Sequence, residues 1–162
     1  MKHKQDAELI ATAYSCILEN TNTDSSDIAK LAAISDEALK QEYGWPTSIP
    51  NSNTFGWQSN LKSAEYAAKS INSGETDIER ISDEIHKGWN ETAERFVQDP
   101  DQFDDTQKLR DDGKFDTKYA QREYLKGLDY KDLKEVDKEK DRVVARALLQ
   151  AMVKEIPGTS QN

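Results

Sequence analysis

The sequence predicts an all-α protein: a compact helical domain of about five to six helices with two long loops, one rich in aromatic residues and one rich in acids. Three observations predict it. Apolar residues recur at three- and four-residue steps through most of the chain. No alternating apolar pattern of convincing strand length occurs. Helix-breaking residues gather in two stretches, 44–60 with Pro46 and Pro50 and 98–118 with Pro100 and Gly113.

Bulk composition agrees with a single domain. The chain has 162 residues, 35% of them hydrophobic, enough for one core and too few for two large ones. Charged residues make up 33%, and the mean hydropathy is −0.91. Much of the chain is therefore expected as solvated helix surface or loop. Net charge is −9, from 31 acids against 22 bases. An acidic protein repels a phosphate backbone, which argues against general nucleic-acid binding. A protein partner, or a small ligand in a local basic pocket, fits that balance. The single cysteine, Cys16, allows no internal disulfide, and the opening "MKHKQDAELI" has no apolar leader run. A cytoplasmic protein without membrane contact is expected.

The first helix is expected from Asp6, on a stripe of Leu9, Ile10, Ala13, Tyr14, Ile17 and Leu18, ending near "ENTNT". A second follows in "TDSSDIAKLAAI". A short third helix, "SDEALKQEYG", is read with Ser35 as N-cap and Gly44 as its stop. Residues 44–60 form the aromatic loop, whose Trp45, Phe55 and Trp57 are expected to pack across the body, with a recognition loop as the alternative.

Helix resumes in "LKSAEYAAKSI" and stops at Asn72 to Gly74. Then "TDIE" reads as a capping box, Thr76 with Glu79. It leads into Ile78, Ile81, Ile85, Trp89, Ala93 and Phe96, a stripe that predicts a helix over about 77–97 needing a partner for its isoleucine face. Residues 98–118 read as acidic loop with short helical turns. The last long helix is expected over about 134–155, with Val136, Val143, Ala147, Leu148, Ala151 and Met152 facing inward and "PGTSQN" as a frayed tail. The division expected is 1–74 as an N-terminal helical region, 75–157 as a helical module and 158–162 as a disordered tail.

Catalytic sets are largely missing. Two histidines, His3 and His86, are too few for a multi-histidine metal site. No phosphate-binding glycine loop or nucleophile elbow occurs. An EF-hand begun at Asp99 would place Phe103, Asp104 and Arg110 where an oxygen ligand, a glycine and a glutamate belong. The acidic loop, 99–116, is read as solvated. Glu91 and Glu94 fit an exposed helix face. No enzyme, cofactor or metal is expected.

What remains is a set of candidate binding residues. His86 and Trp89 border the isoleucine face. Tyr119, Arg122 and Tyr124, with Lys126, interleave aromatics with bases; a pocket and a surface helix both fit. Arg142 pairs locally with Asp141 or points a guanidinium at an anion. Tyr130 and Leu133 stand inside the charged run "YKDLKEVDKEKDR".

Together, "EIHKGWNE" and "LDYKDLKEVDKEKDR…ALLQAMV" resemble the two ends of a ryanodine receptor repeat, the RyR domain, over about residues 75–156. The matching positions are His86, Trp89, Tyr130, Leu133, Lys138, Asp141 and Arg142, followed by Leu148, Leu149 and Met152. Where the family usually has Gly-Trp-x-Tyr-Gly and Lys-x-His-Pro-x-Leu elements, this chain has "REYLKGL". The resemblance implies a helical recognition module of the stand-alone bacterial or phage type, with no catalytic residues. It implies a small anionic or nucleotide-derived ligand, or a partner protein, and a Tyr130–Leu133 lock between the last helix and the His86–Trp89 helix. The alternative is an acidic interaction or phage accessory factor that docks a basic partner.

Overall fold

The computed structural model describes residues 25–153, and every regular element among them is helical. The expected helix from Asp6, with His3 and Cys16, and the tail "PGTSQN" lie outside the described residues. The long helices are α1 (Ser25–Tyr43), α2 (Phe55–Asn72), α3 (Ile78–Gln98) and α6 (Glu135–Val153). Between α3 and α6 come the short α4 (Thr106–Asp111) and α5 (Phe115–Lys126), with 3-10 turns at Pro100–Gln102 and Tyr130–Asp132. No described helix is long and apolar enough to cross a membrane.

Helix α1 is longer than the sequence suggested, because the expected second and third helices are one. Nothing between Leu31 and Ala38 breaks the backbone. Ser35 does not cap a new helix; it is buried, and its hydroxyl donates back to the Leu31 carbonyl one turn earlier at 3.0 Å. Gly44 does end the helix, in the left-handed conformation at φ 73°.

The aromatic loop is shorter than expected because Thr54 starts α2 early. Its hydroxyl oxygen accepts from the Trp57 amide at 3.4 Å. From the other end of the fold, the Asp105 carboxylate accepts from the Phe55 amide at 3.1 Å. Phe55 and Trp57 are buried, as the packing reading expects, whereas Trp45 is 40% exposed and stacks on Tyr43.

The isoleucine stripe of α3 is buried as expected, and each large side chain there contributes about 1.5–3 kcal/mol. Its cap differs. Asp77, not Thr76, is the N-cap and accepts from the Glu79 amide at 2.9 Å. Glu79 is therefore free of a capping box, and its carboxylate turns to α6 instead. Helix α3 packs on α2 at Gly88, where a methyl group would stand 2.6 Å from the Lys62 carbonyl oxygen.

Helices α1, α2, α3 and α6 enclose the main core, built from Leu31, Ile34, Ile71, Ile81, Ile85 and Leu148. Phe55, Phe96 and Phe103 form a second cluster at the far end of α3, with Phe115 and Tyr119 of α5 against it. The acidic stretch is thus largely ordered. Phe103 anchors it, Asp104 donates its amide to the Asn53 carbonyl at 3.0 Å, and Arg110 pairs with Asp101 at 3.2 Å. On α6, Val143, Ala147, Leu148 and Ala151 face inward, and Met152 packs at the margin of the core. Val136 does not: it is 62% exposed, because the first turn of α6 precedes the point where the helix reaches the core.

Candidate functional site

Helices α5 and α6 both pack on α3, and a cleft of about 350 Å³ is lined by residues of both. That volume lies at the lower end of the range for small-molecule sites. Its apolar lining includes Phe55, Ile85, Trp89, Leu133 and Val144, and the loop after α1 adds Trp45 and Pro46. The loop is pinned beside it by Asp36 of α1, whose carboxylate accepts from the Ser48 amide and hydroxyl, both at 3.2 Å. Burial raises the Asp36 carboxyl above its ordinary range.

Lys118 and Arg122 supply positive charge from one face of α5, four residues apart. Among the described residues neither belongs to an ion pair, although the protein as a whole is acidic. Burial first, and then Arg122, Lys140 and Lys114, lower the pKa of Lys118. Burial pulls the Arg122 guanidinium down to about 10, with only Asp105 opposing it. Arg122 lies 3.7 Å from the centre of the Phe55 ring and 4.5 Å from that of Phe96. Its buried Nη1 has no hydrogen-bond partner. Lys140 of α6 adds a third cation; it pairs with Asp137 at 3.3 Å and lies 5.6 Å from the Trp45 ring centre.

His86 and Asp141 form part of the remaining polar lining, with Ser59, Asn60, Ser63, Gln121 and Asp137. His86 is buried, and its Nε2 lies 2.8 Å from the Leu128 carbonyl. A carbonyl only accepts, so Nε2 carries the proton and Nδ1 keeps its lone pair. Burial lowers the pKa of His86 below its ordinary 6.5, which favours the neutral imidazole. Nδ1 lies 3.9 Å from the Asp141 carboxyl, which is 17% exposed and makes no hydrogen bond among the described residues. Burial, with Asp137 adding to it, pushes the Asp141 carboxyl up to about 8. Trp89 lies parallel to the His86 ring, at 6.1 Å and 10°.

Of the residues singled out from sequence, His86, Trp89 and Arg122 line the cleft together. Tyr119 stands behind it, donating to the Val97 carbonyl at 3.2 Å. Tyr124 is 60% exposed and outside the lining. Arg142 does not pair with Asp141 and does not line the cleft. Its guanidinium donates to Glu79 at 2.7 Å and to Glu135 at 2.8 Å. Tyr130 joins it by donating to Glu79 at 2.9 Å, and desolvation together with the Glu79 carboxylate pushes its hydroxyl up to about 12. Tyr130 and Arg142 thus tie the start of α6 to the first turn of α3. Glu91 and Glu94 are engaged by Lys62 and Lys126, at 3.8 and 2.8 Å. Among the described residues no cluster of three or more His, Cys, Asp or Glu side chains is placed to hold a metal ion.

Lys118 and Asp141 are the lining groups that sequence reasoning undervalued. Their signal was present as like charges at helical spacing: Lys114, Lys118, Arg122 and Lys126 in one row, and Asp137 with Asp141 in another. Such rows oppose helix formation by a few tenths of a kcal/mol per pair, so they mark a helix serving something besides its own stability. Compared with known protein families, curated proteins and solved structures, the chain matches none.

Proposed function

We propose that the chain is an RyR-like recognition module whose cleft binds a small anionic, nucleotide-like ligand without transforming it. One observation carries the reading: Lys118 and Arg122 line a cleft of this acidic protein, and among the described residues neither is held in an ion pair, Asp105 alone opposing the loss of charge on Arg122. Leaving a mostly buried guanidinium unpaired is costly, and the fold retains it. Phosphate is the anion suited to an arginine and a lysine side by side. Trp45 and Trp89 add aromatic surface for a planar ring, and about 350 Å³ is within the range of small-molecule sites.

The test is thermal and urea unfolding at low salt with phosphate, pyrophosphate and nucleoside mono- and diphosphates. A ligand at about 100 times its Kd adds about 2.7 kcal/mol of stability, or roughly 5–10 °C in Tm for a domain of this size. Arg122→Met and Lys118→Met should abolish the gain. A flat response across the panel overturns the anion reading and favours a basic protein partner for the acidic surface.

Asp141 favours one second reading, because a carboxyl held near 8 has the proton affinity of a general acid. Against turnover, the lining hydroxyls of Ser59 and Ser63 are spent as donors to the Gly56 and Ile85 carbonyls, both at 3.0 Å. Chromatography of a nucleotide after prolonged incubation with the protein decides between the two. Intact nucleotide supports binding alone.

A further inference from the structure

Resting on the nucleotide-like reading of the cleft, we infer that its ligand carries an amino group on the ring, docked where His86 Nδ1 and the Asp141 carboxyl face each other. The preferred ligands are then nucleotides of adenine, guanine or cytosine, in preference to their counterparts lacking that amine.

Two polar atoms of the cleft are without a hydrogen-bond partner among the described residues. Donation from Nε2 to Leu128 commits the only proton of the neutral imidazole, so Nδ1 can only accept. Asp141 Oδ2 lies 3.9 Å away, too far for a direct hydrogen bond, and neither atom has another partner among the described residues. Both residues line the cavity. Two acceptors at that separation suit a single amino group, which has two hydrogens to give. A carbonyl oxygen at the same place would face the Nδ1 lone pair and could take a hydrogen bond only from the hydroxyl of protonated Asp141.

The surroundings fit the same ligand. Trp89 lies parallel to His86 within 10°, with ring centres 6.1 Å apart, so an aromatic face borders the cleft next to Nδ1. Lys118, Arg122 and Lys140 remain for the phosphate. Asp141 keeps its proton at neutral pH, so its carbonyl oxygen accepts without burying a second negative charge beside Asp137. An amine that meets no hydrogen bond elsewhere is rejected by desolvation, and an acceptor pair that meets no amine is left unpaired.

The experiment is calorimetric titration of the full chain with matched pairs: AMP and GMP each against IMP, CMP against UMP, and ribose 5-phosphate as the baseless probe. At least one amino nucleotide should bind about ten-fold tighter than its amine-free partner. Asp141→Leu should remove that preference while the protein still takes up ribose 5-phosphate. Should Asp141→Leu fail to fold, Asp141→Asn serves, and it should narrow the preference. Equal affinities within every pair, together with binding of ribose 5-phosphate, overturn the amine inference and leave the anion site standing. No binding of any probe, inorganic phosphate included, overturns the anion site and this inference with it.

Discussion

Asp141→Asn offers a test of the cleft that needs no ligand. The native state holds the Asp141 proton up to about pH 8, whereas the carboxyl titrates near 3.8 when unperturbed. A raised native pKa contributes stability that is fully present below the unfolded value and is lost as pH rises toward the folded one. Between those limits each pH unit removes about 1.4 kcal/mol. Asparagine has no proton to lose, so the difference between wild type and variant isolates this one group. The window from pH 6.5 to 7.5 lies between the two Asp141 values, and His86, present in both proteins, drops out of the difference. Urea unfolding of both proteins at the two pH values should show the variant gaining about 1 kcal/mol on wild type across that unit. In Tm the gain is roughly 2–4 °C. Parallel profiles would show Asp141 ionising like an exposed carboxyl, and the acceptor pair with His86 would lose its foundation.

Other perturbations have equally definite outcomes. Arg122→Met should leave Tm unchanged or higher, since it removes an unpaired buried charge while keeping contact with Phe55 and Phe96; loss of more than about 2 kcal/mol would show that the guanidinium is structural. Gly88→Ala forces a methyl against the Lys62 and Ser63 backbone, and overpacking of about 1–3 kcal/mol set against a helix-propensity gain of about 1 kcal/mol leaves a net loss of up to about 2 kcal/mol in urea unfolding. Gly127→Ala, with φ −84° and 3.6 Å of clearance, is the control and should be neutral or stabilising. Tyr130→Phe removes the donor to Glu79 and should cost about 1 kcal/mol by the same measurement, with hydrogen exchange rising first in the opening turn of α6.

Elements whose apolar period is uninterrupted were legible in the sequence. Helix α3 begins at Ile78 and ends at Gln98, one residue from each expected bound, because the stripe from Ile78 to Phe96 has a single way to be buried. The merging of α1 was not legible, because Ser35 looks the same as an N-cap and as a hydroxyl bonded back to Leu31. Order in the acidic stretch was also hidden. It depends on Phe103 finding Phe55 and on Asp105 capping a helix fifty residues earlier, contacts that no local pattern records. The candidate site was half legible. His86, Trp89 and Arg122 stood out by residue type, but Arg142 did too, and its proximity to Glu79 exists only once α3 and α6 are side by side. Lys118 and Asp141 gain their interest from burial, which charge spacing alone cannot supply.

The placement of the three tryptophans makes the molecule its own optical reporter. Trp57 is sealed at 2% exposure, Trp89 is partly covered, and Trp45 stands 40% exposed at the cleft. Emission should therefore divide into a blue component deaf to iodide and a red component that iodide quenches. A molecule settling against Trp45 would shield it from the quencher and shift the red component alone. Occupancy could then be followed by unlabelled fluorescence, with Trp57 as an internal standard in every cuvette.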